Sequence, residues 1–231
     1  MILAIILMVG TLLISLAAAA RVKGMFAKYS KLKTRAGYTG AEAAAAILQA
    51  AGIGNVQIIE HPSILGDHYD PIHKRLVLST DVYHGTSAAA LGVAAHECGH
   101  AIQDKVHYAP LKIRMAAVGA TTFANQVVMW LPLLGIFFMG LNPWIAGWIM
   151  AVGWGVIMLF NLVTLPVEFD ASNRAKVILG KMGFIQPGEE TEGVNKVLNA
   201  AALTYVAAFI TSLLYFLWYL LPLLFGGRRD E

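Results

Sequence analysis

Thiols are almost absent from this chain: Cys98 is the single cysteine among 231 residues. No internal disulfide can form, and a structural zinc site built from several thiolates is excluded. Charge is scarce as well. Asp, Glu, Lys and Arg make up 13% of the residues, about half of the ~25% usual in soluble domains. Hydrophobic residues reach 58%, and the mean hydropathy is +0.63. The few charges leave three gaps: residues 1–20 and 197–227 carry no charged side chain, and 115–167 hold no Asp, Glu, Lys, Arg or His at all. There is no internal repeat and no low-complexity tail. A soluble globular domain does not read this way; a membrane protein does.

A hydrocarbon core ~30 Å thick takes about 20 apolar residues of helix. Residues 1–20 supply one span, 115–166 are long enough for two with Asn142-Pro143 as the turn, and 200–225 supply the last, so four transmembrane helices are expected. Ala17 to Ala20 resemble a small-residue cleavage site, but Arg21 and Lys23 follow the apolar run. A signal peptide needs positive charge before its core, so a retained anchor is expected. Eleven Lys/Arg fall in 21–114, four in 168–196, and only Arg228 and Arg229 elsewhere. Two spans separate these basic segments, so they share a side, and the excess of positive charge makes that side cytoplasmic. The net charge of +3 and pI near 9.0 require no nucleic acid; a basic juxtamembrane stretch attracts anionic lipid head groups.

The polar segment 21–114 has the pattern of a small α+β domain. Thr39-Gly40-Ala41-Glu42 has capping-box spacing before an Ala-rich helix closed by Gly52. Residues 55–60 and 74–80 read as a strand pair flanking a turn-rich stretch, 61–71. Thr86 or Ser87 can cap a helix running to about Gln103. That helix is built of small residues and contains His96-Glu97-Cys98-Gly99-His100.

This is a His-Glu-x-x-His pattern. Four residues advance a helix by ~400°, so both imidazoles project from one face about 6 Å apart, a separation suited to two ligands of one tetrahedral Zn2+. Glu97 can reach a water in the open position and act as general base. Without a metal, three titratable groups on so apolar a helix are expensive. A third protein ligand is required. Gln103 and Val106 stand where a metzincin needs Gly and His, which excludes that class. His61, His68, His73, His84 and His107 are the local candidates, and Glu168 and Asp170 the distal ones. Glu168 is favoured: it is the first charge after the uncharged block, on the same side as the His-Glu-x-x-His helix. Its competing reading is an interfacial carboxylate paired with Arg174 or Lys176.

With Glu168 in place, the chain resembles a known family. Asp67-His68-Tyr69-Asp70-Pro71, Leu78-Ser79, Val82-Tyr83, the run from Ser87 to Gln103, Glu168-Phe169-Asp170-Ala171-Ser172 and the run from Asn199 to Tyr205 look like the YugP-like neutral zinc metallopeptidases of bacterial membranes. The layout is similar to HtpX-type and CAAX-prenyl membrane proteases. The resemblance implies a gluzincin with His96, His100 and Glu168 on zinc. Those relatives often carry Asp four residues after the ligand Glu, where Ser172 stands here. The acceptor that orients a ligating histidine is thereby open, with Asp170 as a substitute.

The expectation is thus a mainly α membrane protein: anchor 1–20, zincin-like cytoplasmic domain 21–114, two membrane helices in 115–166, a cytoplasmic segment 167–199 with the third zinc ligand, and a last membrane helix 200–225. Its expected function is that of a multi-pass plasma-membrane zinc endopeptidase, its active site cytoplasmic, acting on protein or peptide substrates at the bilayer. The competing readings are a site-2-type intramembrane protease, faintly suggested by Asn161 and Pro166, a zinc-stabilised scaffold without activity, and, more remotely, a metal transporter. Strand 74–80 can offer an edge to an extended peptide. His84, Tyr83, Arg174 and Tyr205 can each donate to an oxyanion, Asp67-His68-Tyr69-Asp70 can hold a second metal or form a turn, and Cys98 reads as a small core residue.

Overall fold

The computed structural model describes residues 2–62, 66–135 and 140–225. Positions 63–65 of the expected turn, 136–139 of the uncharged block, and Arg228 and Arg229 lie outside the described residues. The elements are helices α1 (Ile2–Tyr29) and α2 (Gly40–Ala50), strands β1 (Gln57–His61), β2 (His68–Asp70) and β3 (Arg75–Ser79), then α3 (Thr80–Tyr83), α4 (Ala88–Lys105), α5 (Ala109–Trp130), α6 (Pro143–Lys181) and α7 (Glu189–Phe225). A π-helical turn, Leu131–Gly135, extends α5. The chain divides into two compact units, one of residues 16–112 with 166–204, the other of 1–15, 113–165 and 205–231.

The first unit is the α+β part. The capping box forms as the spacing predicts: Glu42 N donates to Thr39 Oγ1 at 3.2 Å, and Thr39 N donates to Glu42 Oε2 at 2.8 Å. Gly52, at φ 65°, takes the left-handed conformation that ends α2. The sheet has three strands, ordered β1-β3-β2, where the sequence suggested a pair. β1 runs parallel to β3, with Gln57 opposite Arg75, and β2 is antiparallel, with His68 opposite Val77. β3 is therefore paired on both sides, and Asp67 Oδ1 accepts from Ser79 N at 2.7 Å beyond the end of β2. The expected peptide-binding edge at 74–80 is not an edge; β1 and β2 are. Leu76 and Leu78 of β3 are fully buried together with Ile47 and Leu48 of α2, Leu91 of α4 and Leu179 of α6. Each such side chain contributes about 1.5–3 kcal/mol by leaving water. Segment 31–34 is tied to the entry of α4: Lys33 bridges Ser87, and Thr34 N donates to Thr86 O. Ser87 Oγ caps α4 by accepting from Ala90 N at 3.2 Å.

The second unit is helical. Asn161 Nδ2 donates to Ala208 O and Ser212 Oγ, and Trp154 stacks on Tyr215. Such intramembrane amide bonds serve helix association. Among the described residues, three helices, α1, α6 and α7, are long and apolar enough to cross a membrane. Large side chains such as Leu3 and Phe225 face outward, as a hydrocarbon solvent permits. α5 stands where a fourth span was expected. Thr121, Thr122, Asn125 and Gln126 dilute its apolar character, and it is not among the three. Helix boundaries also move: α1 runs on through Lys28, α6 continues unbroken past Glu168 to Lys181, and α7 begins at Glu189. At ~1.5 Å per residue, the 39 residues of α6 reach about 58 Å, nearly twice the ~30 Å hydrocarbon core.

Candidate metal centre

Two helices of the α+β unit build the site. α4 presents His96 and His100, one turn apart, and α6 presents Glu168 and Ser172, also one turn apart. Close approach is possible because Gly99 has no side chain: a Cβ there would meet Ala171 O at 2.7 Å and Ala171 Cα at 3.0 Å. These four side chains thus flank the contact between Gly99 of α4 and Ala171 of α6.

Glu168 is 2% exposed. Its Oε2 lies 3.3 Å from His96 Nε2 and 3.6 Å from His100 Nε2, and both histidine side chains retain 12% exposure. The three ligand atoms all fall within 4.8 Å of one another, and this is the group of metal-ligating side chains found among the described residues. Glu97 is buried between the two histidines in sequence. Asp170, the alternative ligand, instead accepts from Arg174 Nε at 2.6 Å and Gln103 Nε2 at 2.8 Å. Lys176 donates to Asn199 Oδ1. The cations that a bare interfacial carboxylate would use are therefore engaged elsewhere, and Glu168 faces the histidines.

The donor set fits a zinc ion. Two ligands ~2.0–2.1 Å from a tetrahedral zinc stand roughly 3.3 Å from each other, close to the His–Glu separations. The outer nitrogens are also held. His96 Nδ1 meets Ser172 Oγ at 3.1 Å, and His100 Nδ1 meets Gln103 Oε1 at 3.0 Å. Burial lowers the pKa of His100, but the Glu168 and Glu97 carboxylates and the Gln103 oxygen outweigh it, and the net shift is upward. Both Nε2 atoms face Glu168 Oε2, and both outer nitrogens face a side-chain oxygen.

The other candidates fall outside the cluster. His68 Nδ1 contacts Gly66 O, His73 pairs with Asp70, and His84 pairs with Glu60. Asp70 also accepts from the backbone of Ile72 and His73, so its segment is a hydrogen-bonded turn. Those bonds hold its pKa at about 2. Cys98 is fully buried against Ala44, and burial pushes its thiol pKa up, as suits a small core residue. Sequence reasoning missed Gln103 as a site residue. Its spacing from His100, i to i+3 on one helix face, was the available signal.

Residues 4–224 match the model of a family described as "Putative neutral zinc metallopeptidase". The chain belongs to this family. It is 43% identical over 232 residues, 98% of each chain, to "Putative membrane protease YugP" of Bacillus subtilis (strain 168). No solved structure matches it. Within the metallopeptidase family, the buried His-His-Glu group on α4 and α6 is this chain's candidate zinc site.

Proposed function

We propose that this metallopeptidase is an integral-membrane zinc endopeptidase with His96, His100 and Glu168 as ligands and Glu97 as general base. The observation that carries the reading is the convergence of Glu168 Oε2 on the two Nε2 atoms, at 3.3 and 3.6 Å. When bound, zinc would acidify a water toward pKa ~7 and polarise the scissile carbonyl. The Glu97 carboxylate takes the proton from that attacking water and returns it to the nitrogen of the leaving amine. Water attacks directly, so the chain needs no nucleophilic side chain, and buried Cys98 is not one.

α1, α6 and α7 supply three bilayer crossings, and α5 with its π-helical turn, less apolar than these, supplies the fourth that returns the chain to one side; the distribution of Lys and Arg favours a cytoplasmic peptidase domain. α4 packs within the core of the α+β unit, which disfavours a site-2-type arrangement. Substrates are protein segments presented near the bilayer. The test is metal content and proteolysis of the detergent-purified full chain. Glu97→Gln retains zinc and loses cleavage, and Glu168→Ala loses zinc. Stoichiometric zinc in Glu168→Ala removes the ligand assignment; cleavage by Glu97→Gln removes the general base.

A further inference from the structure

Gln103 is completely buried in a helix made mostly of small residues. A buried amide is costly unless its hydrogen bonds are made. The described contacts use both ends of this one. Nε2 donates to Val167 O at 2.8 Å and to Asp170 Oδ2 at 2.8 Å. A main-chain carbonyl only accepts, and Asp170 Oδ2 also receives Arg174 Nε at 2.6 Å. The amide therefore cannot be turned over, because its oxygen would then face the Val167 carbonyl oxygen. Oε1 is left pointing at His100 Nδ1, 3.0 Å away, and that nitrogen must supply the hydrogen.

We infer that Gln103 is a positioning residue that holds His100 in the Nδ1–H tautomer, leaving the Nε2 lone pair directed at the metal position beside Glu168. The inference rests on the zinc reading above. Arg174 and Asp170 act through Gln103: the ion pair fixes the amide, and the amide fixes the imidazole. His96 is held differently. Its Nδ1 faces Ser172 Oγ, a hydroxyl that both donates and accepts, so this contact alone selects no tautomer. One ligand is locked by a charged chain of three side chains, and the other is only steadied. In proteins of this type such outer partners commonly change metal affinity 10–100-fold.

The experiment measures zinc affinity by chelator competition and metal-free thermal unfolding, on the full chain in detergent, for wild type, Gln103→Met and Gln103→Glu. Both variants lose the donor to Val167 O and Asp170, so both unfold at lower temperature. Met has no acceptor for His100, and its zinc dissociation constant rises about 10–100-fold. Glu keeps an acceptor and recovers most of that loss. A role confined to packing predicts instead that the two variants weaken zinc binding equally, and that result overturns the inference. Ring-15N NMR of the histidines in zinc-loaded wild type, assigned by through-bond correlation from the backbone, needs no variant to fold. It is expected to show His100 protonated at Nδ1 and ligating through Nε2. Ligation through Nδ1 refutes the inference while leaving the zinc site intact. Wild type that takes up no stoichiometric zinc removes the zinc reading itself, and this inference with it.

Discussion

Replacing Gly99 by alanine tests the contact that brings the two halves of the metal centre together. Helix propensity alone favours the change by about 0.8–1.0 kcal/mol. Packing opposes it. The new Cβ would stand 2.7 Å from Ala171 O and 3.2 Å from Ala171 C, both backbone atoms of α6 that no rotamer change can move. Ordinary contact begins at 3.4 Å, so α4 and α6 must separate by ~0.7 Å (3.4 − 2.7). Overpacking of this kind costs about 1–3 kcal/mol, which outweighs the propensity gain. The same displacement carries the His–Glu separations from 3.3 and 3.6 Å towards ~4 Å, beyond the roughly 3.3 Å spacing of two ligands on one zinc. Gly99→Ala is therefore expected to lower the metal-free melting temperature and to weaken zinc binding at least about tenfold, the scale of a misoriented ligand. Gly180→Ala is the control: the same α6 helix, nothing within 4 Å of the new Cβ, and an outcome set by propensity alone. Thermal unfolding and chelator competition on the detergent-solubilised chain read both effects. If Gly99→Ala is as stable as Gly180→Ala and binds zinc like wild type, the close approach of Gly99 to Ala171 does not position the site.

Ser172→Ala removes the contact to His96 Nδ1 and is expected to weaken zinc about tenfold, whereas Ser172→Asp restores a firm acceptor; equal affinity in all three forms contradicts the steadying role. Glu190 is buried and accepts from Arg35 N at 3.0 Å and Gln186 N at 2.8 Å, so Glu190→Ala should cost about 1–3 kcal/mol, seen as a lower melting temperature with unchanged zinc affinity. Asp104 accepts from Tyr69 Oη at 2.7 Å and Lys74 Nζ at 2.5 Å; burial raises its pKa, but these partners more than reverse the shift and lower it. A lowered carboxylate stabilises the fold above its unfolded pKa of about 4, and that contribution fades as pH falls through the folded value. The stability gap between wild type and Asp104→Asn should thus exist at neutral pH, stay within about 1 kcal/mol because Lys74 is 40% exposed, and close in strong acid; a gap that widens there reverses the sign argument. With Cys98→Ala as background, Ser30→Cys places one exposed thiol after α1, and an impermeant maleimide should label it only after cells are permeabilised; labelling of intact cells inverts the proposed orientation.

The legible parts of this protein were those written in local spacing. His96, Glu97 and His100 follow from helical periodicity. Glu168 followed from a topological step, two uncharged spans returning the chain to one side; its carboxylate stands beside the two histidines, and its ligand role is part of the proposal above. β2 carried no comparable signal, because three residues are too few to show alternation. It lay in a stretch whose Asp, Gly and Pro spoke for a turn, and Asp70 does form that turn immediately after the strand. The strand at 74–80 and its partner at 55–60 were found, but β2 on its other side was not, and so its role as a free edge was misjudged. Helix ends were least visible. Charge marks where a membrane ends, whereas α6 and α7 continue through the polar flank because propensity and the contacts of Leu179 and Val194 favour helix there.

The outer shell of the metal centre shows why a motif can be read from sequence while its support cannot. Helix α4 places Gln103 three residues after His100, but the groups that decide which way the amide points, Val167 O and Asp170, lie 64 and 67 positions away. They come within reach where α6 packs closely against Gly99. That one contact sets the register of Glu168 and Ser172 against His96 and His100, and of Val167 and Asp170 against Gln103. Since a helix advances ~1.5 Å per residue, a slip of one position would break ligand spacing and amide orientation together. A change in helix register would therefore disturb both sets of contacts at once. A substitution at the Gly99–Ala171 contact should disturb both, whereas substitution at Gln103 or Ser172 disturbs one histidine each, and that difference is measurable in the two ring-nitrogen signals.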